Sequence, residues 1–245
     1  MGSPEGLASY DAVTESIAHR GVHDVFAENS PDAFQRALDL GFTGIELDVH
    51  VTQDGVCVVN HDDAIATPDL SLAIRRTGFK TLQAAAPGLP RLENVLELVA
   101  NRAQVYVDLK TSGVEHDLAR VIRRSRAEVS VHAFDHTAVL RIGRLLPQLR
   151  TGILQTSRLV DSVSALRAAK ATDLWQWHEF VDRVLVQQVA AANGRVIAWT
   201  TNTPADWRTF QEIGVAGLCT DLPDAPALVS SNSSSSRGSN LDALN

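Results

Sequence analysis

The stretch GIELDVHVTQDGVCVVNHDD, residues 44–63, decides how this chain is read. Its first half alternates with the period of a β-strand. Glu46 and Asp48, two residues apart, therefore share one face, and Ile45, Leu47 and Val49 share the other. Alternation of this kind ordinarily marks a sheet with one face in water. If the apolar set packs on a layer of helices instead, both carboxylates point inward. Asp54 and Gly55 mark a tight turn, and no chemistry is assigned to them. The turn leads into a short return strand, VCVVNHD, which brings His61 and Asp62 back toward the end of the first strand.

Outward from this hairpin, strand-like and helix-like segments alternate almost from end to end. SIAHR reads as a first strand. Ser30 reads as a helix N-cap with Pro31 at the first helical position, and Gly41 is placed to end that helix. Residues 64–90 have weak periodicity and read as an irregular connection with room for one short helix. LENVLELVANR, behind Pro90, is an amphipathic helix. Strands recur at VYVDLK, VSVHAF, TGILQ, LWQWH, RVIAWT and GLCTD, with helical patterns near 114–127, 136–148, 160–171, 181–192 and 204–213. Setting the return strand aside, eight strands alternate with helices. This predicts an α/β fold, a (β/α)8 TIM barrel with a short hairpin insertion after strand 2, over an open doubly wound sheet. A single domain is expected over residues 16–229, after a lead-in at 1–15. The Ser-rich, apolar-poor tail at 230–245 is expected to be flexible.

With 245 residues, 44% apolar and 21% charged, the chain has an ordinary globular composition and the length of one barrel. A net charge of −7 and a pI near 5.6 argue against nucleic acid as a partner. They leave room for a small phosphorylated ligand held by a few local cations. No run approaches the ~18 apolar residues of a membrane span. The opening MGSPEGLASYDAVTES lacks the basic and apolar parts of a signal peptide, so a cytoplasmic protein is expected. Cys57 and Cys219 sit in apolar strand-like runs and read as inert buried thiols. Nothing in the sequence fixes an oligomeric state.

In a parallel barrel, functional groups gather where strands end and βα loops begin. The polar residues at those positions form a consistent set. Strand 1 ends in His19, Arg20 and Gly21; strand 2 carries Glu46 and Asp48, with His61 arriving on the hairpin. The third barrel strand carries Asp108 and Lys110, again on one face, and later strands offer Gln155, Gln176, His178, Trp199, Asn202 and Asp221. Each alone has a bland reading: an internal ion pair, a core histidine, a packing tryptophan. Together, three carboxylates in a barrel mouth would repel strongly unless a cation balanced them. An oxygen-only set favours a hard ion, Mg²⁺ or Ca²⁺. Arg20 and Lys110 suit the remaining oxygens of a phosphate. His19 and His61 suit proton transfer near neutral pH. These are the components needed to cleave a phosphate ester.

The same residues carry a resemblance. AHRG, then ENSPDAFQRALDLGFTGIELDVHVTQDGVCVVNHDD, PRLENVLELV, VYVDLK and AWTTNTPADWRTFQEIGVAGLCTDLPD resemble the glycerophosphodiester phosphodiesterase family, from about Ile17 to Asp224. The resemblance implies a barrel hydrolase with one divalent metal that splits glycerophosphodiesters into glycerol 3-phosphate and an alcohol. It implies Glu46, Asp48 and Asp108 as metal ligands, His19 and His61 as general base and acid, and Arg20 and Lys110 as phosphate contacts. It also implies attack by the neighbouring glycerol hydroxyl, giving a cyclic phosphate that water opens. Asp108 stands where that family usually has Glu, and Ser30 where Thr is usual. The connection from His61 to Leu92 is shorter than in many members.

VDLKTSG and LWQW also resemble the sphingomyelinase D-like enzymes, whose third metal position is Asp. This makes a lysophospholipid or another choline-bearing diester the alternative substrate. Trp175, Trp177 and Trp199, with Asn202 beside them, would then line the substrate pocket and offer aromatic faces to a quaternary ammonium. A catalytically silent, phosphate-binding barrel is the rival from outside the enzymes. Loss of a histidine or a strand 2 carboxylate would favour it, and all four are present.

Overall fold

The computed structural model describes residues 14–68 and 70–229. The expected tail and most of the lead-in lie outside the described residues. Eight parallel strands close into a barrel: β1 (Glu15–Ala18), β2 (Gly44–Val51), β6 (Gln104–Leu109), β7 (Val129–Ala133), β8 (Arg150–Gln155), β9 (Asp173–Trp177), β10 (Arg195–Trp199) and β11 (Gly217–Thr220). Pairing of β1 with both β2 and β11 makes the closure. Helices α1 (Pro31–Asp39), α3 (Leu92–Val99), α4 (Glu115–Ile122), α5 (His136–Leu145), α6 (Ser162–Ala169), α7 (Arg183–Ala191) and α8 (Pro204–Glu212) separate consecutive barrel strands. The strands and helices fall where the periodicity places them, with ends shifted by a few residues. No described helix is long and apolar enough to cross a membrane.

Local chemistry accounts for the first helix. Ser30 accepts a hydrogen bond from the Ala33 amide, and Pro31 occupies the first turn. At the other end Gly41, at φ +83°, lets its own amide reach Leu38 O and the Phe42 amide reach Ala37 O. This pair of bonds satisfies carbonyls the helix leaves open.

After β2 the chain makes the expected hairpin to β3 (Cys57–Val59), which is antiparallel to the end of β2. Residues 64–90 are more ordered than their periodicity implies. A two-stranded hairpin, β4 (Ala64–Ala66) with β5 (Ser71–Ala73), is followed by a 3-10 turn and α2 (Phe79–Ala85). Strands of three residues are too short to display a period, so the sequence shows only a loop there.

On β2 the apolar face decides the register. Ile45, Leu47 and Val49 are fully buried in the core between barrel and helices. Each stabilises the fold by roughly 1.5–3 kcal/mol relative to exposure. A one-residue slip would turn all three inward, so Glu46 and Asp48 are held facing the barrel axis. The interior is filled in tiers. At the base, Asp173 is gripped by Arg195 (2.9 Å), which also reaches Glu15 (2.8 Å). Arg150 donates to Ser130, and Tyr106 OH donates to Glu15. Ile17, Tyr106, Leu154, Trp175, Ile197 and Cys219 fill the middle. Gly152 makes room there, since a Cβ would stand 2.9 Å from the Trp175 ring. Above this plug lies the mouth.

Candidate active site

Two carboxylates and two cations interlock at the mouth. Lys110 Nζ bridges Asp48 Oδ1 (2.9 Å) and Asp108 Oδ2 (2.6 Å). The other Asp48 oxygen accepts from Asn29 Nδ2 at 2.8 Å. It also lies 3.1 Å from Arg20 Nε, an ion pair not aligned as a hydrogen bond. Arg20 in turn donates to Glu28 (2.9 Å) and, through its backbone amide, to Glu46 Oε2 (3.2 Å). Reaching Glu46 this way requires the tight turn in which Arg20 has φ 56° and Gly21 φ 77°. Gly21 is obligatory there, since a Cβ would meet the backbone of Ala33 at 2.8 Å.

The electrostatics separate the three acids. Burial alone would raise Asp48, but Lys110, Arg20 and the Asn29 hydrogen bond outweigh it and hold the carboxyl below its usual value. Burial, then the charges of Asp48 and Asp108, push Glu46 well above the usual range. Burial pushes Asp108 up to about 6 even though Lys110 pulls it down. Glu46 and Asp108 are thus short of positive charge.

Each expected catalytic histidine is tied to a carboxylate through Nδ1. His19 Nδ1 is 2.8 Å from Asp221 Oδ1, and His61 Nδ1 is 2.9 Å from Asp62 Oδ1. A ring that donates from Nδ1 keeps its lone pair on Nε2. Asp221 is shared: His23 Nε2 is 3.2 Å from the same oxygen, and Asn202 Nδ2 donates to the other at 2.7 Å. Burial would raise Asp221, yet the bond and charge of His19, with Asn202 and His23, hold it far below its usual value. Both histidines border the cup: the charge of His61 lowers the Asp108 pKa, and that of His19 lowers the pKa of His132.

Sequence reasoning missed three residues here. Asn29, buried with φ 57°, clamps Asp48 at both side-chain ends, its Oδ1 accepting from the Asp48 amide at 3.2 Å. No periodicity marks such a loop residue. His50 stands near the end of β2, with Nδ1 3.0 Å from Thr111 Oγ1 and Nε2 donating to the His61 carbonyl at 3.1 Å. It joins the loop of His61 to that of Lys110, and burial lowers its pKa, which favours the neutral ring. His132 on β7 is paired in register with Asp108. The alternation of VSVHAF gives His132 the parity of Ser130, opposite to that of the apolar Val131 and Ala133, and that signal was available.

The donors fit a bound cation. One ligand atom from each of Glu46, Asp108 and His132 lies within 4.8 Å of the others, and all three residues are buried. Asp108 Oδ1 and His132 Nδ1 are buried without a hydrogen-bond partner. Asp48 borders this group but spends its oxygens on Lys110, Arg20 and Asn29. A second group, His19, His23 and Asp221, is equally close, but its members already hydrogen-bond one another.

The tryptophans divide. Trp177 and Trp199 meet edge to face at 5.3 Å, and Phe134 joins Trp199 at 5.8 Å while lying under Lys110 Nζ at 5.9 Å. An aromatic wall therefore runs outward from the cations. Trp175 is not part of it. It is 2% exposed in the interior plug, so the expectation that it offers a face to a ligand is corrected. Asn202 spends its amide on Asp221 and on accepting from Thr220 Oγ1 and the Asp221 amide. The cysteines are buried thiols as expected, with burial pushing Cys57 up to about 12. A cleft of about 710 Å³ between α3 and α4 holds none of these site residues.

Residues 19–225 match the model of the Glycerophosphoryl diester phosphodiesterase family, a span that begins at His19 and takes in Asp221. The chain belongs to this family. Membership makes it an enzyme, a phosphoric diester hydrolase of glycerophosphodiesters. A glycerophosphodiester phosphodiesterase from Caldanaerobacter subterraneus subsp. tengcongensis is 29% identical over 228 residues, 85% of this chain and 94% of that protein. Among solved structures, an Oleispira antarctica phosphodiesterase in complex with the product sn-glycerol-3-phosphate superposes with a TM-score of 0.81 at 21% identity. That match covers 89% of this chain and 97% of the other. A glycerophosphodiester phosphodiesterase from Parabacteroides distasonis gives a TM-score of 0.78 at 24% identity, covering 91% and 99%. At these identities the structures bear on the fold alone.

Proposed function

We propose that this enzyme hydrolyses glycerophosphodiesters to glycerol 3-phosphate and an alcohol by two-histidine acid–base catalysis beside one divalent cation. The observation that carries the reading is the pair of histidine–carboxylate dyads, His19–Asp221 and His61–Asp62, on the rim of one acidic cup. Each dyad fixes the tautomer that presents Nε2 for proton transfer. Glu46 and Asp108 would hold the cation, and Asp48 would join them by exchanging its Lys110 and Arg20 contacts for the ion. When bound, the ion offsets charge on the phosphoryl group and orients its oxygens. Mg²⁺ and Ca²⁺ are the ions an all-oxygen set selects.

Arg20 and Lys110 hold the phosphate, and their existing ion pairs position them before substrate arrives. One histidine removes the proton from the glycerol hydroxyl next to the ester, and that oxygen attacks phosphorus. The other protonates the departing alkoxide. Water then opens the cyclic phosphate with the roles exchanged. Trp177 and Trp199 border the alcohol group. Their aromatic faces also favour a second reading, in which the alcohol carries a quaternary ammonium, as in a lysophospholipid.

The test is release of glycerol 3-phosphate from glycerophosphocholine in chelator, then with divalent cation restored. Metal-dependent release is expected. His61→Ala should abolish turnover with little change in Tm, because the His61 side chain is 42% exposed. Near-normal turnover in His61→Ala would overturn the assignment. A folded wild type that releases nothing with any ion would favour a silent phosphate-binding barrel. Greater turnover of a lysophospholipid would favour the second reading.

A further inference from the structure

His132 is a buried imidazole whose arrangement the two-histidine chemistry does not use. Its ring stacks on Trp175, with centroids 4.0 Å apart and planes 17° from parallel. The stack fixes the ring plane at the top of the interior plug. His132 is only 2% exposed, and its Nδ1 has no hydrogen-bond partner. A buried polar atom left unpaired costs about 1–3 kcal/mol. Asp108, its register partner on β6, has an unpaired buried oxygen as well. Both residues place a ligand atom within 4.8 Å of the Glu46 carboxylate. An unpaired imidazole nitrogen and an unpaired carboxylate oxygen, on residues that converge on one acidic cup, are what a bound cation would satisfy.

We propose that His132 is itself a ligand of the divalent cation, so that an imidazole stands beside the Glu46 and Asp108 carboxylates and the site prefers Mn²⁺, Co²⁺ or Zn²⁺ to Ca²⁺. The inference rests on the reading that a cation occupies this cup, and it replaces the all-oxygen ligand set with a mixed one that turns the preference away from Ca²⁺. Ca²⁺ takes oxygen ligands in large coordination numbers and gains little from a ring nitrogen. Imidazole suits the borderline first-row ions, while carboxylates remain acceptable to them. Stacking on Trp175 orients the ring as a hydrogen bond to a neighbouring carbonyl would elsewhere.

The experiment is equilibrium dialysis of metal-stripped protein against Mn²⁺, Co²⁺, Zn²⁺, Mg²⁺ and Ca²⁺. It is paired with the visible d–d spectrum of the Co²⁺ form. His132→Gln keeps a neutral polar side chain of similar bulk, and His132→Phe keeps the stack on Trp175 without a ligand atom. Both variants should lose Co²⁺ and Zn²⁺ affinity by roughly 10- to 100-fold. Ca²⁺ affinity should change by less than about threefold, and the Co²⁺ spectrum should change in band position. An unchanged Co²⁺ spectrum, or equal losses for every ion, would overturn the role of His132 while leaving the cation site intact. Absence of stoichiometric binding of any ion by the wild type would overturn the cation reading as well. Circular dichroism of each variant keeps misfolding separate from ligand loss.

Discussion

Replacing Asp108 by Asn should make the metal-free protein more stable at pH 8. The carboxyl is buried and pushed from 3.8 up to about 6. In the unfolded chain it ionises near pH 4, and in the folded chain only near pH 6. Between those values the unfolded state binds fewer protons, so stability falls as pH rises. Below about pH 4 both states are protonated and there is no penalty; above about pH 6 the penalty is complete. The gap from 3.8 to about 6 corresponds to about 3 kcal/mol. For a domain of this size that is a Tm difference of about 6–12 °C. Asn keeps the shape and cannot ionise, so in chelator Asp108→Asn should melt with the wild type at pH 4 and about 6–12 °C above it at pH 8. Divalent cation should raise the wild-type Tm at pH 8 and leave the variant where it is. Differential scanning fluorimetry across pH, with and without chelator, reads all of this. A variant less stable than wild type at pH 8 in chelator, or a difference independent of pH, would refute the claim that burial of this carboxylate outweighs the countercharge of Lys110.

Three further outcomes follow from the geometry. Asp221→Asn removes the charge that fixes the His19 tautomer and should lower kcat by roughly 10²- to 10⁴-fold with KM little changed, read by steady-state kinetics. His50→Leu severs the link between the His61 and Lys110 loops. It should cut kcat by about tenfold and lower stability by about 2 kcal/mol for two lost hydrogen bonds, and His50→Gln should restore most of both. Asp173→Ala leaves Arg195 and Arg150 without their buried partner and should cost about 3–5 kcal/mol in denaturant unfolding. Its kcat should hold at temperatures where it stays folded, because Asp173 lies at the barrel base, away from the mouth.

Much of this protein was legible in its residues because the relevant physics is local. Alternation with period two sets which side chains share a face, so it pairs Glu46 with Asp48 and Asp108 with Lys110. The Asp54–Gly55 turn fixes that His61 returns to the end of β2, and Ser30, Pro31 and Gly41 mark both ends of α1. Eight strands with intervening helices then leave few ways to bury their apolar faces, and the barrel is one of them. What parity cannot state is which strands become neighbours. His19 and Asp221 are 202 residues apart and meet only because β1 pairs with β11 when the barrel closes. The register between β6 and β7 sets His132 beside Asp108. Trp175 and Trp177 share a strand face, yet one is sealed in the plug and the other stands at the mouth, since depth along the barrel axis is set by packing. Asn29 reaches Asp48 through a single left-handed loop residue, a position no pattern announces. The sequence alone determined the barrel strands and their helices and which side chains share a face. Closure of the sheet decided which of those side chains meet, because that depends on contacts between segments far apart in the chain.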